Sequence, residues 1–232
     1  MRIHTRRCFM DTVSGPSRSG RVAFFVSSLI LFMLAAPHAR AALLISEVLY
    51  DAAGSDSGAE FVELSGAPGT SLDGVRLEGV NGANGEGYTT VLLSGAIPAS
   101  GVFVVANDAG DGTSTIPGAD LIANFTFQNG PDSIVLRDDV GAVLDALGYG
   151  DFPAGTFFAG EGRPAPDPAA GSSLARGPGL VDRNDNLLDF QVLEIPTPGV
   201  VAGLAPVPLP ASAVLLLSGV LALIPVARRR GG

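Results

Sequence analysis

Two apolar runs stand near the ends of the chain, Val22–Ala36 and Ala211–Ala227, and between them the hydrophobic positions fall into short, sharply bounded clusters. These clusters are LLISEVLY (43–50), EFVEL (60–64), VRLEGV (75–80), YTTVLL (88–93), VFVVA (102–106), LIANF (121–125), SIVLR (133–137) and VLDALGY (143–149). Each is rich in β-branched or aromatic residues and is bounded by Gly, Pro, Asn or Asp, so each predicts a strand. Asn81-Gly82 and Asn84-Gly85 supply positive φ between the third and fourth, and Asp139-Val140-Gly141 separates the seventh from the eighth. Short strands at this spacing predict an all-β sandwich or barrel over residues 42–200, with no convincing helix and no internal repeat.

The terminal runs have other uses. As a helix, the 17 residues Ala211–Ala227 reach about 25 Å, the low end of what spans a hydrocarbon core of about 30 Å. Arg228, Arg229 and Arg230 follow at once and hold the cytoplasmic side, which places the body of the chain outside. At the other end a leader with Arg2, Arg6, Arg7, Arg18 and Arg21 precedes Val22–Ala36, and Ala39-Arg40-Ala41 offers a small-x-small cleavage site. This predicts a signal peptide over 1–41, cut after Ala41, with an uncleaved helix as the alternative. Thr5–Met10 is similar to the start of a twin-arginine signal, although the apolar run begins late for one, and the export route stays open. Cys8 leaves with the leader.

Removing the ends sharpens the composition. Residues 42–206 contain five arginines, no lysine and 22 of the 23 acidic residues, a formal charge of −17. Such a surface repels nucleic acid and anionic lipid, and suits an extracellular face or one that gathers divalent cations. The same segment has no Cys, His, Trp, Met or Lys. That excludes Ser-His-Asp and Cys-His nucleophilic catalysis, lysine Schiff bases and His/Cys zinc sites. Only carboxylates, hydroxyls and arginines remain for chemistry, and stability must come from a core without disulfides.

The residues also carry a family resemblance. ISEVLYDAAGSDSGAEFVEL (45–64), IPASGVFVVAN (97–107), DSIVLRDDVGAVLDALGYGD (132–151) and GSSLARGPGLVDRNDNLLDFQVLEIPTPG (171–199) resemble, in order, the successive motifs of the lamin tail domain family. That resemblance implies an immunoglobulin-like β-sandwich and a binding or scaffolding module without a known reaction. One departure is Asp73-Gly74-Val75, where the family usually has an aromatic Gly-Trp pair. The tail resembles a second family. Val207-Pro208-Leu209-Pro210-Ala211, the apolar helix and the arginine cluster are similar to the VPLPA variant of the PEP-CTERM sorting signal. This implies processing by an exosortase-type membrane protease, and a plain single-span anchor is the alternative.

Three constellations could carry chemistry. Glu47, Glu60 and Glu63 lie on the first two strands, and glycoside hydrolysis requires paired carboxylates about 5 to 10 Å apart. The competing reading is a framework role, with Glu47 bonded to loop amides and paired with Arg76. Asp182, Asn184 and Asn186, with Asp189 nearby, have the D-x-N-x-N spacing that opens a calcium loop. Leu187 stands where an EF-hand needs Gly, and Glu194 falls one residue late, so an Asx-type turn into a last strand competes. The long connection Phe152–Gly171 carries Phe157-Phe158, either a contact site or residues that fold back over the sandwich end.

The sequence therefore predicts a signal peptide (1–41), a lamin-tail-like immunoglobulin-like sandwich (42–200), a Pro-rich linker and sorting motif (201–210), a transmembrane helix (211–227) and a basic cytoplasmic tail (228–232). The expected function is that of an exported bacterial cell-surface or matrix protein, binding or scaffolding without catalysis. It would face the periplasm or cell surface, anchored through its helix or released after sorting. Expected partners are the membrane, the sorting protease, and extracellular polysaccharide or surface proteins, with no nucleic acid. No cofactor is expected beyond a calcium ion at Asp182–Asp189. An anchored, carboxylate-dependent hydrolase of the glycosidase kind is the alternative.

Overall fold

The apolar clusters become strands because branched and aromatic side chains fit a pleated surface, and each stops at a residue that cannot continue the ladder. The computed structural model describes residues 43–200. The expected leader with Ala39 and Ala41, the Val207–Ala211 motif, the 211–227 helix and Arg228–Arg230 all lie outside the described residues. In chain order the strands are β1 (Leu44–Leu49), β2 (Phe61–Ser65), β3 (Arg76–Asn81), β4 (Gly87–Leu92), β5 (Val102–Asn107) and β6 (Leu121–Ala123). They continue with β7 (Asp132–Arg137), β8 (Val143–Tyr149) and β9 (Ser173–Arg176), then one helical turn, α1 (Asn186–Asp189), and β10 (Phe190–Leu193).

Two sheets result, in the orders β10-β9-β1-β2-β5-β6 and β4-β3-β7-β8. Among the described strands β5 and β6 pair parallel and the other pairs are antiparallel. Ile45, Val62, Leu64 and Val105 from the first sheet meet Leu77, Ile134, Leu136 and Leu147 from the second in one continuous core. The chain is thus an all-β sandwich of two sheets rather than a closed barrel. Tyr50 and Tyr149 stack across the layers at 4.0 Å, and Phe125 and Phe127 add aromatic bulk to a core that has no Trp. No helix among the described residues is long and apolar enough to cross a membrane.

Unlike a strand with one wet face, β1, β2 and β5 are buried along their whole length. A bulge explains the two faces of β1: pairing jumps from Ile45↔Leu64 to Glu47↔Glu63, which leaves Ser46 as the extra residue. Ile45 and Val48 then both point into the core, while Glu47 and Leu49 take the outer face. There Leu49 joins Phe61 and Val104 beneath Ile116.

Several expectations change at the level of single residues. LIANF ends as a strand at Ala123, because Phe125 and Phe127 turn into the core. Gly85 takes positive φ (+77°), but Gly82 is required for a different reason: a Cβ there would lie 2.0 Å from the Pro131 carbonyl oxygen. Arg76 lies in the second sheet and pairs with Glu78 at 2.6 Å, so it is not the partner of Glu47. Val75, at the departure from the family pattern, is a core residue. Phe158 folds back edge-on against Phe152 and over Gly148, whereas Phe157 stays half exposed. The sequence reading found the last strand but missed β9.

A single core predicts a single transition. Urea unfolding followed by circular dichroism should show one cooperative step, unchanged by reductant because the described residues have no cysteine. Leu136→Ala should lower its stability by about 2–5 kcal/mol. Two separate steps would contradict the continuous core.

Candidate functional site

The three glutamates marked in the sequence are all buried, and each is held by its neighbours. Glu47 accepts hydrogen bonds from Ser173 Oγ (2.6 Å), Thr197 N (2.8 Å) and Thr197 Oγ1 (2.7 Å). Glu63, directly opposite on β2, accepts from Ser46 Oγ (2.7 Å) and Gly199 N (2.8 Å). The bulge brings Ser46 within reach, and the segment 197–199 lies over both carboxylates. Glu60 accepts from Thr126 Oγ1 (2.8 Å) and Phe127 N (3.2 Å). Burial pushes the carboxyls of Glu60 and Glu63 up, that of Glu60 to about 8. A glycosidase pair must face one sugar from an open groove, and these carboxylates are instead sealed against backbone.

A second constellation centres on Arg176, a fully buried cation at the end of β9. Its guanidinium meets Asp145 of β8 at 2.7 and 2.9 Å, donates to the Ile45 carbonyl at 3.0 Å, and reaches Asp189 at 3.5 Å. Its outer face stacks on the Phe190 ring, 4.6 Å from the centroid. Asp145 also accepts from Ile45 N at 2.6 Å. One side chain therefore joins β1, β8, β9 and α1, and so ties the two sheets together.

This cation organises the residues expected to bind calcium. Asp189 accepts from Arg183 N (2.7 Å) and Arg183 Nη1 (3.0 Å) as well as from Arg176. The Asn186 side chain is engaged by backbone: Gly148 N and Glu161 N donate to its oxygen, and its amide donates to the Ala146 carbonyl. Asn184 turns the chain at φ +52°. Asp182 caps that turn by accepting from Asn184 N (3.0 Å), and it lies 3.6 Å from Arg176. Of the four, only Asp182 joins a carboxylate group with metal-like spacing; its partners there are Asp145 and Glu161, with all three oxygens within 4.8 Å of one another. Arg176 supplies positive charge to that group. Burial, reinforced by Asp145 and Asp182, pushes the Glu161 carboxyl up to about 7.

An open concavity lies elsewhere. It is an open cleft of about 470 Å³ where the β1–β2 loop, β4, the end of β5 and the segment after β6 converge. Asp56 and Asp108 flank it, with Tyr88, Thr89, Asn124 and Thr126 along its walls. Two buried side chains hold those walls. Asn107 accepts from Gly58 N and donates to the Phe125 carbonyl, while Glu60 fixes Thr126 and Phe127. Gly58 sits at φ +75° against Ala109, where a Cβ would come within 2.8 Å, so the loop closes only with glycine.

No family model matches this chain, and no curated protein matches its sequence. Sequence reasoning missed Arg176, Asp145 and Asn107. Arg176 did carry a signal, being a lone cation inside the apolar cluster SLAR of an acidic segment. Asn107 ended a predicted strand next to Asp108 and carried none.

Two predictions follow from these networks. Arg176→Ala leaves Asp145 buried without its cation, while Asp189 keeps Arg183, and should cost about 3–5 kcal/mol in urea unfolding. Glu60 binds its proton more tightly folded, at about 8 against an ordinary 4.5. Its contribution to stability is therefore complete below pH 4.5 and is lost as the pH rises through about 8. Thermal melts from pH 5 to 9 should show falling stability, at most about 1.4 kcal/mol per pH unit from this group. Glu60→Gln should flatten that slope, and an unchanged slope would exclude Glu60 as its source.

Proposed function

We propose that this chain is an exported, non-catalytic binding or scaffolding module of the lamin tail domain type, with an immunoglobulin-like sandwich delivered to the cell surface or matrix. One observation carries the reading: the residues that give the first and last family-like blocks their character are internal fasteners of each other. Glu47 and Glu63, from the first block, hold Ser173, Thr197 and Gly199 from the last. Residues that hold a frame together in this way are suited to display. The formal charge of −17 over residues 42–206 supports an extracellular setting and disfavours nucleic acid as a partner.

The tail completes the proposal. Val207–Ala211, the barely sufficient apolar run and Arg228–Arg230 form a sorting signal read by an exosortase-type protease. The short span holds the precursor in the bilayer, and the arginines, costly to move through hydrocarbon, stop it from slipping across. The test is fractionation of the producing cell with mass spectrometry of the chain's ends. The mature surface species should begin at Ala42 and lack Arg228–Arg230. Pro208→Ala with Pro210→Ala should leave insertion intact and abolish processing, since proline fixes an extended backbone for recognition. If every surface species retains Arg228–Arg230, the segment is a plain anchor.

A further inference from the structure

The cleft between β4 and the end of β5 is an open concavity whose walls are fixed from beneath, and its lining has a definite chemical character. Two carboxylates, Asp56 and Asp108, face it, and no Lys, Arg or His lines it. An anionic ligand would meet repulsion here from the lining and from the field of the whole segment. A metal ion would need converging carboxylates. The gathering of three such oxygens among the described residues lies at Arg176 instead. What the cleft offers is a mixture of acceptors, hydroxyls and an amide beside an aromatic wall.

Each of those groups is placed to be used. Asp56 and Asp108 each commit one oxygen to the backbone, Asp56 to Ala52 N and Asp108 to Gly110 N and Gly112 N. In both, the second oxygen has no partner among the described residues. The Asn124 amide and the Thr89 hydroxyl are likewise without a hydrogen-bond partner among the described residues, and Asn124 is exposed. Tyr88 is anchored on both sides of its ring system: its hydroxyl accepts from Gln128 N at 3.1 Å, and its ring lies over Gly79, where a Cβ would come within 2.6 Å. Thr89 packs against the same glycine.

We infer that this cleft binds an uncharged saccharide, with Asp56, Asp108, Asn124 and Thr89 contacting its hydroxyls and Tyr88 forming the apolar wall. The inference rests on the reading of the chain as a binding module and names the ligand class. Carboxylate oxygens accept from the hydroxyls of a polyol without requiring it to carry charge, and an amide can both donate and accept. The volume of about 470 Å³ lies within the range of small-ligand sites, about 300–1,000 Å³, and its openness to solvent lets a longer chain pass through. Because Asn107 and Glu60 hold the walls already, little ordering is lost on binding.

The experiment is a calorimetric and amide-shift titration of the full-length chain in mild detergent. The probes are neutral gluco-, galacto- and manno-hexasaccharides, a uronate hexasaccharide, calcium chloride and a lysine-rich peptide. At least one neutral hexasaccharide should bind with a Kd below about 1 mM and shift the amides of Ser57, Thr89 and Asn124, while the uronate should not. Asn124→Ala and Thr89→Ala should each weaken binding roughly fivefold, the loss of one hydrogen bond, with unchanged melting. Leu188→Ser, an exposed change on α1, should bind as the parent does. The inference is overturned if no neutral hexasaccharide binds at about 10 mM, if the uronate binds equally, if only calcium or the peptide responds, or if both cleft variants bind normally. Failure here with the expected surface location and trimmed ends leaves the module reading standing and removes only the ligand. Shortened sugars in the titrated sample would instead overturn the non-catalytic reading.

Discussion

The sandwich depends on a guanidinium that cannot reach water. Arg176 leaves β9 in one sheet and closes on Asp145 of β8 in the other, so their charges compensate each other where neither could stand alone. Removing two ions from water is expensive, and an apolar pair of the same shape could hold the layers together as well. Unlike such a pair, the ion pair fixes an arrangement. A slip of β9 by one residue against β1 would turn the guanidinium away from Asp145 and strand both charges. The surrounding details follow from the need to satisfy this cation fully: the Ile45 carbonyl, Asp189 from the helical turn, and the Phe190 ring across its face.

The strands legible from sequence were those whose side chains decide the matter locally. VFVVA and SIVLR are rich in β-branched residues, and both formed within a residue of their expected limits. β9 was hidden because it is four residues long and ends in the arginine that makes it important. The bulge at Ser46 was hidden as well. ISEVLY sets two polar residues, Ser46 and Glu47, between Ile45 and Val48, and the partner strand shows that one of them is surplus. Glu47 was legible as a framework carboxylate, but its donors lie 126 and 150 residues away, beyond any local pattern. The cleft was not legible at all, since its walls come from four separate stretches and are held by a buried asparagine and a buried glutamate 47 residues apart.

The acidic character of the domain is milder inside than its composition implies. Glu60 and Glu161 hold their protons to about 8 and about 7, both because burial disfavours the ionised form. At neutral pH they are largely or partly uncharged, so the field outside is weaker than a formal −17 would give. Glu78, between Arg76 and Arg137, and Asp111, held by Thr113 on an exposed turn, are instead shifted below the ordinary carboxylate range.

The glutamate clasp on residues 197–199 also has a mechanical meaning. Any tension arriving from the chain beyond residue 200 meets Gly199 and Thr197 first, and they are fastened to Glu63 and Glu47 in the interior of the six-stranded sheet. Without the clasp, a pull would reach β10 at the sheet's edge, where hydrogen bonds open one at a time like a zip. With it, the load is shared by β1 and β2, whose neighbours on both sides must yield together. A pull on that end would consequently load the middle of the sheet before its edge.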